Sequence, residues 1–151
     1  MIKLQFKIEI HAPISHVYDT MLWITSKVTY EKWTYLFNPT STFEGSWNKG
    51  DKILFIWFDE KWEKGGMVSR IVENITNKFV SIQHYGLLKG NQEVTQGPDV
   101  EKWANWFENY TFDENEGKTI ITIDLETADD FVNYMNDSYP KALKKLKEIC
   151  E

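Results

Sequence analysis

Glu108 stands in the stretch WANWFENYTF, Trp103 to Phe112, whose alternation places it on one face with Trp106, Tyr110 and Phe112. Successive side chains of a β-strand point to opposite faces, so this carboxylate shares the side on which large apolar groups are expected to be buried. In FVSIQHY the residues Val80, Ile82 and His84 share a face opposite Ser81 and Gln83, and in GGMVSRI Met67, Ser69 and Ile71 lie opposite Arg70. An imidazole and a carboxylate offered to one interior could act as general acid and base. Burial favours a neutral carboxyl and a neighbouring imidazolium favours a charged one, a competition that functional sites exploit. The structural alternatives are a buried acid satisfied by Tyr110, Tyr134 or water, an acid reaching solvent at a cavity mouth, and a hydrogen-bonded interior histidine at His84.

Trp106, Tyr110, Phe112, Tyr134 and Met135 could line a pocket for a planar or lipid-like ligand, with Met67 beside them and Ser69 and Ser138 as polar contacts. The same stripes, read conservatively, are plain core. His11 and His16 lie away from His84 and complete no metal pattern, so no metal is expected. Motifs for dinucleotides, nucleoside triphosphates, zinc proteases and dithiol chemistry are absent, and no cofactor is expected. Cys150, the sole cysteine, ends a helical pattern with acids beside it and is a poor nucleophile candidate.

The elements that must position these groups are readable from periodicity. IKLQFKIEI alternates as a half-buried strand, and APISHVYDTMLW continues at helical spacing through Ile14, Val17, Tyr18, Met21 and Leu22, with Pro13 acceptable in the first turn. A second short helix is expected over Lys27 to Trp33 with Ser26 as its cap, ending before Pro39. Turn chemistry at NKGD, NITN and DENEGK then separates strands predicted at Thr42 to Trp47, Lys52 to Phe58, Gly66 to Glu73, Phe79 to Tyr85, Trp103 to Asp113 and Thr119 to Glu126. Short links imply antiparallel neighbours. The long breaker-rich segment Gly86 to Glu101 is expected to be a mobile flap. A final amphipathic helix carries Phe131, Tyr134, Met135, Ser138, Ala142, Leu143, Leu146 and Ile149 on one face, with Pro140 expected to bend it. Trp57 and Trp62 flank FDEKWEKGG, where they would form an interaction patch or shield one end of the sheet.

These elements amount to a single α+β domain, residues 1–151. Seven Trp, seven Tyr and nine Phe provide large buried areas but leave irregular gaps between rings. The net charge of −6 and the absence of a basic track argue against nucleic acid, and no stretch is long and apolar enough to span a bilayer. The opening MIKLQFKIEI alternates rather than forming a signal-peptide core, which predicts a cytoplasmic location. The lysines of KALKKLKE complement a helix C-terminus and need be no more than a solvated face.

The element order, with APISHVYDTM, FNPTSTFEGSWNKGDKI, GGMVSRI, ENYTF and PKALKKLKEIC, resembles the START-like or SRPBCC superfamily, and within it the branch named for the activator of the heat-shock chaperone ATPase. The resemblance covers almost the whole chain and rests on turn and strand-entry residues such as Trp47, Gly50, Gly65 and Gly66. It implies the helix-grip fold, a seven-stranded curved antiparallel sheet wrapped around a long C-terminal helix, with two short helices between the first two strands. It further implies a cavity between sheet and helix that holds a small hydrophobic molecule. Three functions follow as expectations: a binding protein, a cyclase or hydrolase using Glu108 and His84, and a protein that contacts a chaperone. Both a monomer and a homodimer fit the sequence.

Overall fold

The computed structural model describes residues 1–22, 27–102 and 105–151. Its strands form one antiparallel sheet. Strand β1 spans Ile2–Ile10, and helices α1 (Ile14–Leu22) and α2 (Lys27–Thr34) follow it. Then come β2 (Thr42–Gly45), β3 (Lys52–Phe58), β4 (Lys64–Ile75), β5 (Phe79–Lys89), β6 (Gln92–Val94) and the short helix α3 (Pro98–Glu101). Strands β7 (Trp106–Asn115) and β8 (Lys118–Thr127) lead through a 3₁₀ turn, Asp129–Phe131, into α4 (Val132–Cys150).

The main path of the sheet, in the order β1-β8-β7-β5-β4-β3-β2 with the short β6 added beside β5, has the seven strands anticipated from the alternation, and α4 packs on it. The helix continues through Pro140 and presents Ser138, Tyr139, Ala142, Leu143, Leu146 and Cys150 as its buried side. Against it stand Ile121 and Ile123 of β8 and Tyr110 and Phe112 of β7 in a common core. Each such aliphatic side chain contributes roughly 1.5–3 kcal/mol when fully buried, so this shared core is a large part of what holds the fold together. Helices α1 and α2 close the remaining side, where the Trp33 indole N–H donates to the Met21 carbonyl at 2.9 Å and the Tyr30 ring meets Phe43 edge-on. The Thr42 hydroxyl donates to Glu31 at 2.7 Å and ties the start of β2 to α2.

Four expectations need correction or completion. The strand predicted to end at Trp47 stops at Gly45, whose positive φ of 116° turns the chain and whose Cβ position is blocked by the Lys52 carbonyl. The strand predicted over Trp103 to Asp113 begins at Trp106 and runs to Asn115; Trp103, Ala104 and the proposed cap Ser26 lie outside the described residues. The segment Gly86 to Glu101 is not a structureless flap. β5 runs on to Lys89, turns at Gly90 into β6, and α3 buries Val100. The sequence concealed this extension because the registers Val68↔Gly86 and Ser69↔His84 leave Tyr85 as an extra residue, a bulge that breaks the alternation. Thr95 then lies over Gly86 next to Val68, so the segment packs on the sheet face opposite Met67 and Ser69.

Candidate functional site

Register brings the two chemical residues together. On the β5–β7 pair Ile82 stands opposite Glu108 and His84 opposite Trp106, which makes His84 and Glu108 diagonal neighbours on the concave face. Their side chains meet, with His84 Nε2 at 3.1 Å from Glu108 Oε1. On the other side of β5, Ser69 of β4 is directly opposite His84, and its hydroxyl lies 2.6 Å from His84 Nδ1. A carboxylate only accepts, so the shared proton sits on Nε2, and in a neutral ring Nδ1 accepts the Ser69 hydroxyl. Ser69 is fully buried behind the imidazole and does not line the cavity described below, so it orients the ring and is not placed to act as a nucleophile.

Helix α4 completes the group. The Tyr139 hydroxyl donates to Glu108 Oε2, while its ring stacks on Phe6 at 5.0 Å and meets Phe37 edge-on at 4.9 Å. The Tyr110 phenol lies beside that of Tyr139, close enough for the two to interact. Tyr139 thus holds the carboxylate from α4, and His84, backed by Ser69, approaches it from the sheet. Burial holds the Tyr110 and Tyr139 phenols well above the ordinary tyrosine range, and the Glu108 charge pushes them further. Tyr30 on α2 is raised by the same two causes, burial first.

This network forms part of the wall of a cavity of about 480 Å³ enclosed by α2, α4 and the concave sheet. Its size falls within the ordinary range of small-molecule sites. The walls are dominated by aromatic rings, among them Trp33, Phe37, Phe55, Trp106 and Tyr139. Trp57 and Tyr134 line it while remaining 38% and 42% exposed, and so mark where it opens. The Tyr134 hydroxyl donates to the Phe37 carbonyl at 2.6 Å, bridging α4 to the loop after α2 at that opening.

Of the residues singled out from sequence, Glu108, His84, Trp106, Tyr110, Met67, Tyr134 and Met135 line this cavity. Ser69 lies behind His84, Ser138 is buried on α4 next to Tyr134, and Phe112 is a core ring packed edge-on against Tyr18. Sequence reasoning overlooked Tyr139, although it lies four residues after Met135 on the same helical face; the following Pro140 drew attention to a bend instead. Tyr30, Trp33 and Phe37 were overlooked because a short helix and its exit loop carry too few residues to show which side turns inward. Trp57 belongs to the cavity wall, whereas Trp62 stands 75% exposed at the hairpin tip. Cys150 is buried, and burial pushes its thiol up to about 11. Among the described residues no group of three His, Cys, Asp or Glu side chains could hold a metal ion, and no helix is long and apolar enough to cross a membrane.

No protein-family model matches the chain, nor does any curated protein sequence. Solved structures do. The solution structure of the Aha1 dimer from Colwellia psychrerythraea matches with a TM-score of 0.74 and 21% identity, covering 100% of this chain and 97% of that one. Protein NE0264 from Nitrosomonas europaea matches with a TM-score of 0.72 and 15% identity, covering 97% and 92%. Protein CV1439 from Chromobacterium violaceum matches with a TM-score of 0.69 and 15% identity, covering 99% and 96%. At such identities the likeness is one of fold: this chain shares the helix-grip arrangement of strands and helices with the Aha1 structure.

Proposed function

We propose that the protein binds a small, largely apolar molecule in the cavity between the concave sheet and α4. The observation that carries this reading is the coincidence of an aromatic-walled space of about 480 Å³ with a hydrogen-bonded polar pair, Glu108 and His84, in its lining. Apolar walls supply affinity through area removed from water, and the convergent polar pair orients the ligand. The test is a panel of fatty acids, sterols, flavonoids and polyketides followed by tryptophan emission and ligand-detected NMR. Trp33, Trp57 and Trp106 line the cavity, so an occupant should alter the emission; silence in both measurements across the panel removes the reading.

The contact between His84 and Glu108 favours a second reading, an enzyme of the cyclase or hydrolase type in which the pair moves a proton on a bound ligand. Turnover of a bound panel member that disappears in Glu108→Gln, with its affinity retained, would select that reading. Ligands that bind and leave unaltered select the binding protein.

A further inference from the structure

We propose that the ligand is an uncharged molecule carrying an alcoholic or phenolic hydroxyl, which donates a hydrogen bond to Glu108 while the rest of the molecule lies against the aromatic wall. The inference rests on the ligand-binding reading above and adds the chemical group by which the cavity selects its occupant. Every donor of the polar pair and its supports is already spent. His84 gives its Nε2 proton to Glu108 Oε1 at 3.1 Å, its Nδ1 lies 2.6 Å from the Ser69 hydroxyl, and Phe55 meets the ring edge-on at 5.7 Å. The Tyr139 hydroxyl donates to Glu108 Oε2. A carboxylate has about four acceptor positions, so these two donors leave Glu108 with acceptor capacity to spare. Its side chain lines the cavity and is 16% exposed, so that capacity is open to an occupant.

An occupant that fills the cavity removes Glu108 from water, and the cost of desolvating a carboxylate is offset only by a group that donates to it in return. An ether or ketone oxygen set against Glu108 brings lone pairs to lone pairs. Tyr30 and Tyr110 also line the space, but a phenol gives or accepts a hydrogen bond and so does not discriminate; the carboxylate only accepts. An anionic ligand is disfavoured twice, because Glu108 repels it and neither lysine nor arginine contributes to the described wall to receive its charge. A hydroxyl meets the remaining acceptor with no second charge to desolvate. Of the classes named above, sterols and flavonoids carry such a group, and ionised fatty acids do not.

The test titrates three probes that share a biphenyl frame, 4-phenylphenol, 4-methoxybiphenyl and biphenyl-4-carboxylate, against the intact chain at neutral pH by calorimetry. The phenol should bind at least roughly tenfold tighter than the ether, as expected of one hydrogen bond to a charged acceptor, and the carboxylate should bind more weakly than the ether. Ether or carboxylate binding as tightly as the phenol overturns the inference and leaves the binding reading intact. In Glu108→Gln, whose amide donates as well as accepts, the preference for phenol over ether should fall below about threefold, with circular dichroism checking that the variant is folded. A preference unaltered in the folded variant overturns the assignment to Glu108. A readout that needs no variant is the carbon-13 shift of the Glu108 carboxyl, which should move further with the phenol than with the ether; equal movement also overturns the assignment. If none of the three probes binds, the inference falls, and the ligand-binding reading falls with it only where the wider panel is silent too.

Discussion

Tyr139→Phe removes one oxygen from the centre of the site and nothing from its packing. The ring is about 1% exposed, stacked on Phe6 and edge-on to Phe37, and phenylalanine fills the same volume in the same contacts. One charge-assisted hydrogen bond is lost: the Tyr139 hydroxyl no longer donates to Glu108. A hydrogen bond to a charged acceptor contributes roughly 1.5–3 kcal/mol, and a buried group left unpaired costs about 1–3 kcal/mol. A loss of about 2 kcal/mol is therefore expected, equivalent to a fall in Tm of roughly 4–8 °C for a chain of this size. Urea unfolding followed by tryptophan emission measures it, with the slope unaltered because the exposed area is unaltered. Tyr134→Phe is the control, since that hydroxyl bonds the Phe37 carbonyl from a side chain 42% exposed and water can replace it; its cost should stay below about 1 kcal/mol. If Tyr139→Phe unfolds within about 0.5 kcal/mol of the parent, or no further from it than Tyr134→Phe, the buried network carries no stability and the reasoning fails.

Three further outcomes are expected. The phenols of Tyr30, Tyr110 and Tyr139 are raised above the unfolded value of about 10, so their stabilising effect is complete below about pH 10 and is lost as pH climbs, since the unfolded chain releases protons that the native chain retains. Three such groups together remove about 4 kcal/mol per pH unit above that point, and phenolate absorbance should show them ionising only as the fold is lost; free titration of every tyrosine in the native protein would contradict this. Gly66→Ala would put a methyl carbon 1.9 Å from the Phe55 carbonyl oxygen and should cost about 3 kcal/mol or more, whereas at Gly65 the nearest atom is 3.6 Å away and Ala should cost less than about 1 kcal/mol, both read from urea midpoints. With its thiol pushed up to about 11, Cys150 should react with Ellman's reagent at mildly alkaline pH roughly a hundredfold more slowly in the native chain than in urea, and equal rates would show the thiol is not buried.

The order of elements and the inward faces of the central strands were legible because strand alternation is a strong signal over five or more residues, as in IKLQFKIEI and FVSIQHY. Glu108 and His84 were found through that alternation, and the register then put them in contact. What the sequence concealed lies where one rule interrupts another. The bulge at Tyr85 disrupted the alternation, so the end of β5, β6 and α3 were read as a loop. Tyr139 sat beside a proline that obscured its place on the helical face, and the α2 residues of the cavity wall belong to an element only eight residues long. The cavity itself depends on how rings from five or more segments fail to fill space, which no local pattern records.

The central claim is that the space beside Glu108 is where a ligand resides, and the most direct measurement is an isotope-filtered NOE experiment on the labelled protein with the tightest ligand of the panel. Cross-peaks from ligand protons to the rings of Phe37, Phe55 and Tyr139 are predicted, since all three face the cavity. Cross-peaks confined to Val28, Tyr35 and Leu36, which line the open groove on the outer side of α2, would contradict it.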